Sequence, residues 1–261
     1  MKRVRKMLAE LLIGITVITA SGTAVPAEIA ETQIETSVRE ADGTTLTAKK
    51  YPTMYNGVDL SAIYDFNYYV KNYAYPKRKY SKDPAGAIQY FGRYGLRKGH
   101  KGKKTFSKST YQKLLKKTHP YPEADEILDK LKWDFKKAFV YSSNITYRNS
   151  SDLSAYNSPW KKSSNWYFKY GLRNGRGNCY VKSGTFTILA REMGQKATQI
   201  GGSVPYRSGA LGPHSWVEIK SGKETWVYDP SFYKSRGIGF KFKYKTPGTY
   251  KYQNMHRLSI G

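Results

Sequence analysis

The sequence predicts an α+β fold: a helix carrying a nucleophile candidate, packed on an antiparallel sheet and preceded by a small helical module. Three observations predict it. Apolar residues recur at helical spacing from Ile127 to Phe139 and again from Cys179 to Met193. Downstream, Ile238, Phe240, Phe242 and Tyr244 alternate with Gly239, Lys241, Lys243 and Lys245, the period of a strand. Upstream, residues 51–108 carry shorter helical patterns dense in tyrosine. Helix, helix, then strands is the order of an α+β domain. With 261 residues, 25% charged and 39% hydrophobic, the chain is long enough for a sizeable core. That balance excludes a disordered chain and a membrane bundle.

Residues 1–27 read as a secretory signal peptide. Lys2, Arg3, Arg5 and Lys6 make a positive start, Leu11 to Ala20 an apolar run, and Val25-Pro26-Ala27 a small-x-small cleavage site. The run is short for a membrane span of ~30 Å, so no stable membrane anchor is expected. Residues 28–50 are polar without an apolar period and read as a linker. In the module at 51–108, Ala62 to Tyr73 and Pro84 to Tyr94 read as helices. Pro84 suits a first turn, Gly95 a C-terminal cap, and Ile88 and Phe91 an apolar face that Tyr94 continues.

The catalytic-type domain is expected at 109–261. Ile127, Leu131, Phe135 and Phe139 recur every four, which predicts one amphipathic helix of about four turns. Residues 142–170, rich in Ser, Asn, Tyr and Trp, read mainly as loop. A helix is predicted after Gly177-Asn178, with Cys179, Ser183, Phe186, Ala190 and Met193 on one face and Gly194 ending it. The Lys-faced alternation at 238–245 predicts a half-buried strand. A two-residue turn at Ser221-Gly222 predicts a hairpin that sets Lys220 against Lys223 and His214 directly against Asp229.

Charge narrows the partners. Lys+Arg 45 against Asp+Glu 19 gives a net charge of +26, and loss of residues 1–27 leaves +23. With 24 tyrosines, such a surface suits an acidic or carbohydrate-rich partner. A secreted chain has little access to nucleic acid, and the Lys and Arg are spread along the chain rather than striped on one element. An anionic cell-wall polymer fits both facts. The single cysteine, Cys179, rules out an internal disulfide and a multi-Cys zinc site.

Three segments carry candidate chemistry: Gly-Asn-Cys at 177–179, His-Ser-Trp-Val-Glu at 214–218 and Tyr-Asp-Pro at 228–230. A thiol attacks an amide carbonyl as thiolate, and a free cysteine titrates near ~8.5. A helix start supplies partial positive charge, an imidazole takes and returns the proton, and an acid fixes its tautomer. Cys179, His214 and Asp229 are candidates for these roles, with Cys179 expected to be partly exposed. Each has a plainer reading: a small buried hydrophobe, a strand histidine, and an Asp-Pro turn opener. The other histidines, His100, His119 and His256, sit in no comparable pattern. No His-x-x-x-His or Cys-x-x-Cys occurs, so no catalytic metal and no cofactor are expected.

The segments GNCYVKSGTFTILAREMG, GPHSWVEI and WVYDPSF resemble the transglutaminase-like superfamily of papain-like fold, over about Glu123 to Phe232. The resemblance implies a transglutaminase-like core in which Cys179 is nucleophile, His214 base and acid, and Asp229 orienter. It further implies acyl transfer from a protein or peptide amide through a thioester, to an amine or to water. An aromatic side chain that assists the oxyanion is also implied, with Trp166 and Tyr167 the nearest candidates. No acidic loop of calcium type is present, so calcium activation is not implied. The segment YDFNYYVKNY … AIQYFGRYGLRKGHKG resembles a short helical repeat of secreted Gram-positive proteins. The leading reading is therefore a secreted thiol enzyme at the cell surface. The alternative is a catalytically silent transglutaminase-like binding module attached to the wall.

Overall fold

Two stretches with separate cores make up this computed structural model, which describes residues 35–39, 45–148, 162–205 and 208–261. The leader read at 1–27 lies outside the described residues, as does most of 28–50. Within the latter, Glu35–Arg39 (β1) and Thr45–Lys49 (β2) pair antiparallel. The two compact units are Met1–Leu114 and Leu115–Gly261. No helix among the described residues is long and apolar enough to cross a membrane.

In the first unit a short antiparallel pair, Met54–Tyr55 (β3) and Val58–Asp59 (β4), precedes three short helices. These are Phe66–Asn72 (α1), Ala74–Tyr80 (α2) and Pro84–Tyr90 (α3). The first helix starts at Phe66 rather than Ala62, because Asp65 caps it by accepting from the Tyr68 N–H at 2.7 Å. Asp83 caps α3 in the same way, with Pro84 in the first turn. The α2 helix is absent from the sequence reading; Pro76 sits in its first turn, where a missing N–H costs nothing.

The chain beyond α3 widens into a π-helical turn, Phe91–Gly95. Gly95 does not cap it. A Cβ there would lie 2.5 Å from the Tyr69 hydroxyl, so the glycine serves close packing, and the left-handed residue is Gly99 (φ +74°). Leu60, Ile63, Tyr69, Ile88, Phe91 and Leu96 form the buried centre.

The division between the units, at Leu114 and Leu115, falls within the helix Lys108–Thr118 (α4). The helix expected through Ile127 and Phe139 is two helices, Pro122–Lys130 (α5) and Phe135–Asn144 (α6). Between them Lys132 and Trp133 are left-handed, at φ 57° and 55°. Trp133 donates its Nε1–H to Asp129 at 2.8 Å, and Asp134 caps α6. The apolar spacing persists across this break because both helices pack against the later helix Cys179–Glu192, which the spacing alone cannot distinguish from a continuous helix.

The segment read as loop also holds regular structure. Thr146–Tyr147 (β5) pairs in parallel with Arg176–Gly177 (β6), and Ser164–Asn174 (α7) is a helix capped by Ser163. After β6 comes Cys179–Glu192 (α8), buried along nearly all its length and ended by Gly194 at φ +82°.

Among the described residues, Lys196–Pro205 (β7), Leu211–Ser221 (β8), Glu224–Tyr228 (β9) and Gln253–Arg257 (β10) form a sheet in the order β10-β7-β8-β9. Its pairs are antiparallel. A short helix, Pro230–Arg236 (α9), follows β9. Phe139, Phe186, Ala190, Val217, Ile219 and Tyr228 make the central core between helices and sheet.

Two strand expectations are corrected. Residues 238–245 are not a strand: Gly239, Lys241 and Lys245 have positive φ, and one isolated bridge, Val227 to Phe242, remains. Phe240 still points onto the central core and Phe242 onto Trp216 and Val227, whereas Ile238 is exposed. Lys241 and Lys243 do not simply face water; their ammonium groups lie 4.9 and 4.3 Å from the Trp226 ring centroid.

The hairpin turn is Gly222-Lys223, not Ser221-Gly222, so Ser221 faces Glu224 and Lys220 faces Thr225. Gly222, at φ +58°, stands first in the loop, as a type II′ turn requires. This register avoids setting Lys220 against Lys223. It differs from the expectation by two residues, so every side chain keeps its face.

Candidate active site

Cys179 opens α8, and two local features put it there. Asn178 caps the helix, its side-chain oxygen accepting from the N–H groups of Tyr180 and Val181 at 3.0 and 3.4 Å. That cap does not take the N–H of Cys179 itself. Gly177 lies so close to the first turn that an added Cβ would be 2.4–2.5 Å from three carbons of Val181. The thiol is 7% exposed, against the expectation of partial exposure, and packs with Tyr167, Tyr180, Val181 and Leu258.

A buried polar seam fixes α8 on the sheet beside the site. Ser183 donates to the Ser215 carbonyl at 2.8 Å. Gln199 donates to the Tyr180 carbonyl at 2.9 Å and to the Ser215 hydroxyl at 3.0 Å, and that hydroxyl donates to the Ile200 carbonyl at 2.8 Å. His214 is the residue before Ser215 on β8, so the seam sets its height against α8.

The structure brings His214 and Asp229 together, but not as directly opposed strand partners. The last β8–β9 pair is Val217 with Tyr228, so Asp229 follows diagonally from His214, within reach of a ring. His214 Nε2–H donates to Asp229 Oδ2 at 2.7 Å. Tyr252 donates its hydroxyl to the same oxygen at 3.0 Å, while Oδ1 accepts from the Phe232 N–H at 2.8 Å. Asp229 is thus both the plain turn opener, as the cap of α9 ahead of Pro230, and the partner of His214.

With Nε2 on the carboxylate, the ring nitrogen left for Cys179 is Nδ1, and the sulfur is close enough to help raise the ring's pKa. Burial presses the imidazolium down. The Asp229 carboxylate, its hydrogen bond and the Cys179 sulfur outweigh that, and the His214 pKa is pushed up to about 10. The imidazole is therefore protonated at neutral pH.

Trp166 and Tyr167, on α7, both belong to the cluster around Cys179. Tyr167 is fully buried, and burial, helped by the nearby sulfur, pushes its phenol up to about 12. Gly184 permits this closeness, since a Cβ there would lie 2.7 Å from Tyr167 Cβ.

Other residues at the site escaped the sequence reading. Tyr250 stands edge-on to His214 at 5.4 Å, and Tyr252 packs on Trp216 at 4.5 Å. Trp216 donates to the Tyr244 hydroxyl at 2.7 Å, which donates to Glu218 at 2.6 Å. Lys182, one turn along α8 from Cys179, is buried and donates its Nζ–H to the Ser143 carbonyl at 2.6 Å. Burial, with the cation of Lys234, lowers its pKa to about 8 against the pull of Cys179 and Asp229. The signal for Lys182 was its i+3 spacing from the nucleophile candidate.

Among the described residues, one group of side chains can converge on a metal ion: His119, Asp125 and Glu192. His119, read as unremarkable in sequence, has Nδ1 3.0 Å from Asp125 Oδ1 and 2.9 Å from Glu192 Oε1, all three buried. Burial pushes the Glu192 carboxyl up to about 7, with Asp125 adding to it, although His119 and the Tyr121 N–H draw it back. Glu192 ends the helix that Cys179 begins, about 20 Å away at 1.5 Å per residue. The group joins α5 and α8 to the end of α4 and takes no part in the Cys179 site. His100 instead stacks on Tyr73 at 4.2 Å.

Residues 108–230 match the family model described as the transglutaminase-like superfamily. No curated protein matches the chain.

Proposed function

We propose, from the membership of residues 108–230 in the transglutaminase-like superfamily, that this chain is a thiol enzyme performing acyl transfer from protein or peptide amides. One observation carries the reading: the Asp229–His214 hydrogen bond of 2.7 Å, aimed at the one cysteine, which stands at a helix N-terminus. In the forward step Cys179 Sγ attacks the amide carbonyl, and the C–O π electrons pass to oxygen. Candidate donors for that oxyanion are the Cys179 backbone N–H and the side chains of Trp166 and Tyr167. As the intermediate collapses, the C–N bond breaks and the imidazolium gives its proton to the leaving amine, which departs as ammonia or an amine. A thioester remains. His214, now neutral, takes a proton from an incoming amine or water, which attacks the thioester carbonyl and releases the thiolate. Asp229 holds Nε2–H throughout, keeping Nδ1 for the sulfur.

The leader at 1–27 and the net charge of +23 without it support action outside the cell, at an anionic surface. The 7% exposure of Cys179 favours the second reading, a silent binding module. One experiment separates them. The protein is incubated with a Gln- and Lys-containing peptide mixture and the products are weighed by mass spectrometry. Two peptides joined with loss of ammonia mean cross-linking, ammonia replaced by water means deamidation, and scission means peptidase. No mass change, together with Cys179 that iodoacetamide labels only after unfolding, would leave the binding module.

A further inference from the structure

The first unit carries a concave face that acyl transfer does not use. It is formed by α2, α3 and the π-helical turn, encloses about 440 Å³, and is lined by Tyr75, Tyr80, Tyr90 and Tyr94 with Lys79, Arg93 and Lys98 among the remainder. The size is that of a small-ligand site. We propose that this groove binds an anionic polysaccharide, with sugar faces on the tyrosine rings and carboxylate groups on the surrounding cations.

The rings supply the first half of the argument. Tyr90 touches three others, with centroids 4.9 Å from Tyr75, 5.7 Å from Tyr80 and 5.5 Å from Tyr94. Interplanar angles run from 33° to 41° across these contacts, and Tyr75 meets Tyr80 at 73°, so the rings lean on one another in different planes instead of making parallel jaws. Rings in different planes suit the non-planar C–H faces of successive sugars better than flat nucleobases, which stack face to face on an aromatic ring. Tyr75 is 39% exposed although it is aromatic, and the core of the unit lies elsewhere, at Leu60, Ile63, Tyr69 and Phe91. Its ring is therefore placed for contact rather than for folding.

Charge supplies the second half. No acidic residue lines the groove. Lys79 lies over both Tyr75 and Tyr80, 5.8 and 5.6 Å from their centroids, and Arg97 stands 5.6 Å over Tyr94. Burial raises the phenols of Tyr80 and Tyr90, so they stay neutral hydroxyls able to donate to and accept from sugar hydroxyls. A neutral glycan would have no use for these cations, and a plain polyanion none for the tyrosine floor. The inference is independent of the acyl-transfer reading, because its test reads binding alone.

The test uses the full chain and four fluorescent probes at two salt concentrations, read by anisotropy. They are an oligogalacturonate of ten units, its methyl ester, a poly-glutamate of equal charge and a thymidine oligonucleotide. The oligogalacturonate is expected to bind at least about tenfold more tightly than each of the other three. Tyr75→Ala is expected to weaken it about fivefold with an unchanged salt slope. The double variant Lys79→Gln/Lys98→Gln should flatten that slope. Poly-glutamate or the oligonucleotide binding as tightly as the oligogalacturonate, no binding of the oligogalacturonate, or a Tyr75→Ala variant of normal circular dichroism with unchanged affinity, would each overturn the proposal.

Discussion

Replacing Asp229 by Asn removes one negative charge and puts two N–H donors where a carboxylate oxygen accepted. The cap of α9 survives, because an amide oxygen still accepts from the Phe232 N–H, and Asn is as good an N-cap as Asp. The other oxygen is where the loss falls. It accepts from both His214 and Tyr252, and hydrogen bonds to a charged group contribute about 1.5–3 kcal/mol each. The phenol can turn and accept, so the net destabilisation is about 3 kcal/mol, essentially the His214 bond. The chemical consequence is larger. Asp229 contributes the two largest influences that raise His214, and without them burial again presses the imidazolium down. With a pKa of about 10 the ring is protonated almost throughout at pH 7.5; at or below its ordinary 6.5 at most about a tenth remains so. The amide also favours the tautomer with its proton on Nδ1, pointing at the sulfur. Iodoacetamide labelling of Cys179, followed by intact mass at pH 7.5 beside a thermal melt, should slow at least about tenfold. Equal labelling rates in a variant that melts cooperatively would refute the linkage between Asp229, the imidazolium and the thiolate.

Three further outcomes are expected. Gly177→Ala should cost about 1–3 kcal/mol and displace the first turn of α8, seen as a lowered Tm and altered Cys179 labelling, and Val181→Ala in the same chain should not restore them, because the Val181 Cβ itself lies 2.4 Å from the added Cβ. Glu192 has its folded pKa raised from 4.5 to about 7, so its contribution is full below pH 4.5 and lost as pH rises through 7. Denaturant unfolding should therefore show stability declining from pH 5 to 7 by a few kcal/mol, and Glu192→Gln should flatten that decline up to about pH 6.5, above which His214, raised to about 10, keeps stability falling. Lys182→Met removes a buried ammonium whose folded pKa is lowered to about 8, a cost present at pH 7 and relieved as pH rises from 8 to 10.5. After subtracting the lost bond to Ser143, stability at pH 7 should rise by about 1 kcal/mol while labelling of Cys179 slows, and slower melting gains without slower labelling would separate Lys182 from the thiol.

Local chemistry made much of this molecule legible without coordinates. Asn178 before Cys179 announced a helix start, Gly194 its end, and Pro84 another start, because these signals act within a turn of their own position. The identity of Cys179, His214 and Asp229 as candidates rested on residue types and on their place at a helix start, in a strand and before a proline. Parity did the rest: a hairpin register wrong by two residues still kept His214 and Asp229 on one face, since side chains alternate with period two.

Tertiary structure decided what depends on contacts between distant segments. The break at Lys132-Trp133 is invisible in the apolar spacing, because α5 and α6 both bury a face against α8. From Phe240 to Tyr244 the Lys-faced alternation obeys burial without a strand backbone, since inward-facing side chains need only a core to point at, whereas a ladder needs a partner edge along its length. His119, Asp125 and Glu192 are separated by up to 73 residues and meet only when α8 is laid against α5. Tyr252 reaches Asp229 from the C-terminal segment, and the 7% exposure of Cys179 is set by Tyr167 and Leu258 packed over it. The sequence by itself determined which groups are candidates for the chemistry and where α3 and α8 begin. The distances, the burial and the protonation that follow from them belong to the packing, because an electrostatic environment is a property of neighbours in space and not of neighbours in the chain.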